Sequence, residues 1–207
     1  MAWSTDGENW TAVLGGETRY GTIINHGQSS FGSIAINAIT FGNGIFVAGG
    51  NGGRMAWSID GENWIAIPGG TGRGINPSVI GQSTFGSNTI RSIAFGNGRF
   101  VAVGGDSPFG GSDFGVVAWS GNGENWTAVS NRIFASFLVS DIAYGNGRFI
   151  AVGTQGRIVW SSNGTDWILV PNSTFEGSDW TNQILGIAFG NGMFVAVGSN
   201  GRMAWSQ

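Results

Sequence analysis

The chain has 207 residues, 41% of them apolar and 10% charged, with 39 glycines, 4 prolines and a net charge of −3 at pH 7. That apolar share suffices for a packed interior, and so much glycine with so little charge argues for many tight turns rather than for helices or a disordered chain. All nine basic side chains are arginine, so no basic stripe tracks a nucleic-acid backbone; cysteine is absent, which removes disulfides and thiolate metal sites; and no apolar run is long enough to span a membrane.

The chain opens on Ala2-Trp-Ser4, and the same tripeptide returns at Ala56–Ser58, Ala118–Ser120 and Ala204–Ser206, with Val159–Ser161 as a degenerate copy. A tandem repeat is therefore the natural division. The first copy predicts a strand ending at Ser4, a polar hairpin to Trp10 and a further strand Trp10–Val13. Leu14–Ala35 follows as a long crossover containing Gly27-Gln-Ser-Ser-Phe-Gly-Ser33.

The first complete unit then carries a strand into Phe41-Gly-Asn-Gly44, a second strand, a Gly-rich turn, a third strand at Met55–Ser58 and a hairpin to Trp64. Asn-Gly between two apolar runs predicts a two-residue turn with both residues at positive φ, which Asn and Gly tolerate at low cost. A second crossover, Pro68–Thr89, repeats the motif as Gly81-Gln-Ser-Thr-Phe-Gly-Ser87. It leads to a unit from Phe95 to Trp126, lengthened by eight residues within Gly104–Gly115. The third unit runs from Tyr144 to Trp167, and a link containing Ser173-Thr-Phe175 and Trp180 leads to Ile187–Ser206. Its run Phe194–Val197 predicts a strand buried on both faces. Four antiparallel strands per unit, spaced 41 to 62 residues from Trp to Trp, predict the blades of a β-propeller.

The polar hairpins read Ser-x-Asp-Gly-x-x-Trp at Ser4–Trp10 and Ser58–Trp64, and Ser120–Trp126 and Ser161–Trp167 keep the frame with Asn122 and Asn163 in place of Asp. Over nearly the whole chain this resembles the Asp-box, or BNR repeat, of sialidases, other glycosidase propellers, sortilin-type receptors and photosystem assembly factors. The resemblance implies that each hairpin joins the third and fourth strands of a blade, on the face away from the ligand-binding centre. Asp6, Asp60, Asn122 and Asn163 would brace the turns, and Trp10, Trp64, Trp126 and Trp167 would plug the gaps between blades. Calcium is not expected there, because one carboxylate per turn falls short of the six to eight oxygens such a site takes. No metal or cofactor is expected elsewhere.

The expected fold is all-β: one domain over residues 1–207, a four-bladed propeller with blades at 34–68, 90–130, 139–170 and 185–207 joined to 1–14. Counting strands gives seventeen, one more than four blades need. Closure by pairing the terminal strands would put Met203–Gln207 in the ladder and leave Met1–Ser4 to fray or to dock on another molecule. The alternative is a homo-oligomer swapped through the redundant terminal strand.

Alternating antiparallel strands place the crossovers and the second-to-third-strand turns on one face, opposite the Asn-Gly turns. Long loops on a rigid scaffold are the usual place for binding. Phe31, Phe85 and Phe175, with Phe134 or Phe137 by looser alignment, recur near the start of each unit, either capping the interior between blades or forming an aromatic platform. Trp180 is the one Trp of ten outside the repeat frame. Arg54, Arg157 and Arg202 each follow a Gly at equivalent positions. Sialidases bind a carboxylate with three arginines, but no matching tyrosine or acid–base pair accompanies these, so no catalytic residue carries over. A glycosidase needs two placed carboxylates and none are singled out by spacing, and His26 is the only histidine. The expectation is a protein that is not an enzyme: a lectin-like recognition module binding glycan or a protein ligand through Phe31, Phe85, Phe175, Trp180 and the three arginines. The alternative is a structural or assembly subunit of a phage virion or cell surface, acting through protein–protein contacts. Met1 runs directly into a repeat with no leader-like segment, yet an extracellular or virion-surface setting is favoured.

Overall fold

The computed structural model describes residues 1–13, 18–19, 22–23, 31, 34–67, 84–106, 114–130, 132–134, 137–175, 177 and 181–206. Strands β1 (Ala2–Trp3) and β2 (Thr11–Ala12) form an N-terminal hairpin, and β3 (Thr18–Arg19) and β4 (Thr22–Ile23) a second small one. The β3–β4 hairpin falls inside a segment expected as loop, where β-branched Thr18, Thr22 and Ile23 flank Tyr20-Gly21.

Three four-stranded antiparallel sheets follow, each in sequence order. They comprise β5 (Ile36–Gly42), β6 (Ile45–Gly50), β7 (Met55–Ser58) and β8 (Ile65–Ala66); then β9 (Ile90–Gly96), β10 (Arg99–Asp106), β11 (Phe114–Ser120) and β12 (Thr127–Ala128); then β13 (Val139–Gly145), β14 (Arg148–Gly153), β15 (Ile158–Ser161) and β16 (Ile168–Leu169). The C-terminal sheet has three strands, β17 (Ile184–Gly190), β18 (Met193–Gly198) and β19 (Met203–Trp205). The lengthened unit takes up part of its extra residues by extending β10 and β11 to the pair Asp106↔Phe114.

The Asn-Gly turns have the predicted geometry. Asn43, Asn97, Asn146 and Asn191 lie at φ 46 to 49° and the glycines after them at 70 to 79°, so the flanking residues pair directly, as Gly42 does with Ile45.

Each sheet packs face to face on the next through its own apolar cluster. Val13, Phe31, Ala48, Ala56 and Trp64 join the N-terminal hairpin to the first sheet. Val47, Met55, Phe85, Ile90 and Phe100 fill the next seam; Val101, Val117, Phe137, Phe149 and Trp167 the third; and Val152, Phe175 and Ile184 the last. Val101, Ala102 and Val103 of β10 are fully buried, but Phe194–Val197 of β18, the run expected to be buried on both faces, is not. In the C-terminal sheet the outward face is uncovered, and the equivalent Val197 is exposed.

Closeness at each seam is set by glycine. A β-carbon added at Gly42 would overlap the Phe95 ring of the next sheet, one at Gly96 the Tyr144 ring, and one at Gly145 the Phe189 ring.

The expected closure within the chain is absent. The hairpin β1–β2 stays a separate two-stranded sheet and does not pair with β17–β19. Nor does Met1–Ser4 fray: Ala2 pairs with Ala12, Trp3 with Thr11, and Val13 donates its N–H to the Met1 carbonyl at 2.8 Å. The N-terminal hairpin is satisfied locally by β2 and by packing on the first sheet, and β18 is satisfied by β19, so neither copy of the third strand is left seeking a partner.

Candidate functional site

One face of the molecule is consumed by its own turns. In the hairpin Ser58–Trp64, Asp60 Oδ1 accepts the backbone N–H groups of Glu62 and Asn63 at 2.9 and 2.8 Å, and its Oδ2 accepts the Asn63 side-chain amide at 2.8 Å. Ser58 Oγ accepts the Gly61 N–H at 2.9 Å. Asp6 repeats this pattern with Glu8, Asn9 and Ser4. These bonds stabilise the charged form, the Asn9 and Asn63 side-chain amides most strongly, and hold both carboxyls well below the usual range. Asn122 keeps the backbone bonds through its amide oxygen. In the hairpin Ser161–Trp167 acid and amide trade places: Asn163 accepts the backbone bonds and donates Nδ2 to Asp166 Oδ2 at 2.7 Å.

The four hairpin tryptophans share one local contact, each donating Nε1–H to the carbonyl of the Gly three residues before it at 2.9 to 3.2 Å. Their surroundings differ. Trp64 and Trp167 are 3% and 6% exposed and Trp126 is half-buried at the seam with the first sheet, but Trp10 is 64% exposed. Trp10 belongs to none of the apolar clusters among the described residues, so it does not plug the gap expected of it.

The Asn-Gly turns join this network. Asn43 Nδ2 approaches the Gly98 and Gly121 carbonyls of the next sheet, Asn146 donates to the Gly192 carbonyl at 2.9 Å, and Arg99 donates to the Asn163 carbonyl at 2.9 Å while lying over the Trp119 ring. The turns on this face are thus bonded within themselves and to one another.

The opposite face holds the turns Asn51–Gly53, Thr154–Gly156 and Ser199–Gly201, which share one backbone shape with a left-handed middle residue: Gly52, Gln155 and Asn200 at φ 63, 59 and 59°. Arg54, Arg157 and Arg202 follow at φ −73 to −76° and ψ 135 to 140°, so the repeat delivers three guanidinium stems to equivalent positions. Each is engaged within its own surroundings. Arg157 lies 5.5 Å over the Phe137 ring, and Arg202 donates to Asn182 Oδ1 at 2.7 Å.

The recurrent phenylalanines are interior residues. Phe31, Phe85 and Phe175 are each 1% exposed and belong to different seams, with Phe134 and Phe137 filling the seam between them. Buried at the seams, their rings offer almost no surface to a ligand. Trp180 lies outside the described residues, as do Tyr20, His26, Glu17, Asp113, Glu176 and Asp179.

Two carboxylates outside the hairpins tie strands together. Asp141 Oδ2 accepts the Ile187 N–H across a seam at 2.8 Å, and Asp106 Oδ2 accepts the Thr89 N–H at 2.9 Å. Among the described residues no group of three or more potential metal ligands is assembled, and no helix is long and apolar enough to cross a membrane.

Sequence reasoning did not find an apolar cavity of about 250 Å3 between the third sheet and β17–β19, lined by Ile150, Ile158, Val170, Ile187, Ala196 and Trp205 among others. Its position is the one that a hairpin Trp, Trp126 or Trp167, fills at the two preceding seams.

No family model matches the chain, and no curated protein is similar to it at a significant level. Solved structures are. YCF48 from Cyanidioschyzon merolae superposes with a TM-score of 0.56 at 16% identity over 84% of this chain and 53% of that one. YCF48 bound to D1 peptide gives 0.56 at 15% identity over 84% and 50%. The computationally designed Ika4 protein gives 0.51 at 14% over 84% and 91%. The chain thus spans about half the length of the YCF48 structures. The fold is that of a β-propeller, with sheets of four antiparallel strands as its blades.

Proposed function

We propose that the chain is a non-catalytic recognition module whose crossover face binds a peptide segment of a protein partner, with Arg54, Arg157 and Arg202 supplying its cationic contacts. The observation that carries this reading is the division of labour between the two faces. The Asp-box-like hairpins and Asn-Gly turns satisfy one another, while the other face repeats an arginine at one backbone position in the first, third and C-terminal sheets. Arginine forks suit carboxylates and main-chain carbonyls, and loops on a rigid scaffold are where such contacts are built.

A propeller of similar fold, YCF48, has been solved with a D1 peptide bound, which favours a protein partner. Glycan binding would draw on aromatic faces, and the burial of Phe31, Phe85 and Phe175 leaves it with Trp180 alone among the expected rings. An assembly subunit acting through protein contacts is compatible with the same face. Among the described carboxylates outside the hairpins, Asp106 and Asp141 are engaged in strand ties and lend catalysis no support.

The deciding experiment screens the chain in parallel against a displayed random-peptide library and a glycan array, and repeats the screen with Arg54→Ala, Arg157→Ala and Arg202→Ala. Peptide enrichment that falls about tenfold in at least one variant is expected. Glycan binding without peptide enrichment, or enrichment indifferent to all three substitutions, overturns the reading.

A further inference from the structure

The seams repeat two knob-and-seat contacts. Phe95, Tyr144 and Phe189 each sit on a glycine of the preceding sheet, namely Gly42, Gly96 and Gly145. In the hairpins, Gly123 lies against Val47 of the preceding sheet and Gly164 against Val101, and the Trp three residues on fills the same seam.

Both series run out at the two ends of the molecule, and they do so in complementary fashion. At the C-terminal end the seats stand empty: a β-carbon at Gly190 meets nothing within 4 Å, and the cavity lined by Ile150 and Val170 holds no Trp. At the N-terminal end the knobs stand uncovered: Phe41 is 55% exposed, Trp10 64%, and Gly7 has nothing within 4 Å. The outward face of the C-terminal sheet shows Leu185, Val197 and Met203, and the free side of β5 shows Ile39, all exposed.

We infer that the C-terminal sheet of one copy receives the N-terminal hairpin of a second copy, head to tail. The register follows from the internal seams. Incoming Phe41 takes the Gly190 seat, Gly7 lies on Ile150, the counterpart of Val47 and Val101, and Trp10 enters the cavity. The incoming β1 replaces β19 on β18. Met1–Ser4 and Met203–Ser206 are the same tetrapeptide, Met-Ala-Trp-Ser, so β18 keeps identical backbone and side-chain partners through the exchange. What the exchange adds is burial of Trp10, Phe41 and the outward face of the C-terminal sheet. The occupant is another copy because the fit is the chain's own seam continued, and because within one chain Phe41 and Gly190 remain apart and uncovered. A contact between unlike ends builds a ring or an open filament according to whether its rotation closes, and a ring of two copies is the assembly inferred.

Trp10→Ala and Gly190→Val test this without disturbing the isolated fold, since Trp10 is exposed and Gly190 has open space beside it. Light scattering after size exclusion should show the wild-type chain as a pair of copies and each variant as single chains, with the pair's dissociation constant raised at least tenfold. Ile59→Ala, at an exposed residue outside the proposed contact, should leave the pair intact. Mixing the two variants should restore association, because one keeps an intact tail and the other an intact head. A wild-type chain that stays single at tens of micromolar, variants that pair as the wild type does, or a mixture no heavier than its components overturns the inference. Peptide binding at the crossover face is read separately and does not bear on it.

Discussion

Phe95 lies so close over Gly42 that the glycine could not carry a β-carbon. The contact joins the inner strands of adjacent sheets, β5 and β9, and its counterparts do the same at the next two seams. Gly42→Ala therefore forces the ring or the strand to move, and such overpacking costs about 1–3 kcal/mol. Gly121→Ala, where an added carbon meets nothing within 4 Å, should stay within about 0.5 kcal/mol of the wild type. Urea unfolding of the two variants compares them directly.

Trp64 packs with Val13, Phe31, Ala48 and Ala56 and is nearly fully buried, so Trp64→Ala should cost about 3–5 kcal/mol. Thr11→Ala, on an exposed strand of the N-terminal hairpin, should cost under about 0.5 kcal/mol. Equal melting temperatures for the two variants would show that the hairpin tryptophan is not core.

Acid should weaken the first sheet through Asp60. Its carboxyl titrates lower in the folded chain than in the unfolded one, so its contribution is complete above about pH 4, the ordinary aspartate value, and is lost as pH falls below it toward the folded value. Asp60→Asn keeps the two backbone acceptors, as Asn122 demonstrates, but removes the titrating group. Its stability should fall less steeply than that of the wild type between pH 4 and 2, followed by tryptophan fluorescence.

Asp141→Ala removes the acceptor for the Ile187 N–H at the last seam, and losing a charge-assisted bond there should cost about 1–3 kcal/mol. Asp141→Asn, which retains an oxygen in the same place, should recover at least half of that. Thermal melts of the two variants side by side check the difference.

What the sequence disclosed was what depends on a few adjacent residues. Asn43-Gly44 announces a turn because few other pairs accept two positive φ values, and Ser58-x-Asp60-Gly61 announces a hairpin because its bonds close within three residues. The recurrence of Phe31, Phe85 and Phe175 left two roles open, capping the interior between blades or forming a platform; their burial matches the first, and no local pattern separates the two because both place an apolar ring at the start of a unit. Closure is not legible in the sequence for a related reason. Whether Met203–Trp205 and Ala2–Trp3 meet depends on the course of the whole succession of sheets, while each strand is content with its neighbour in sequence. The exchange of roles between Asn163 and Asp166 was legible in principle, since an acid three residues after the Asn replaces the amide found at Asn9 and Asn63, but only a spatial contact gives that coincidence meaning.

A succession of seams in which each sheet touches only its neighbours also shapes how the molecule comes apart. Stability in such an array is a sum of unit and nearest-neighbour terms, so opening begins where a unit has one neighbour instead of two. Backbone amides of β9–β12 and β13–β16, flanked on both sides, should exchange with deuterium last, whereas those of β17–β19 should exchange first. The end with the empty seats is thus also the end with the least to lose by letting a strand go, which lowers the kinetic barrier to trading β19 for its twin.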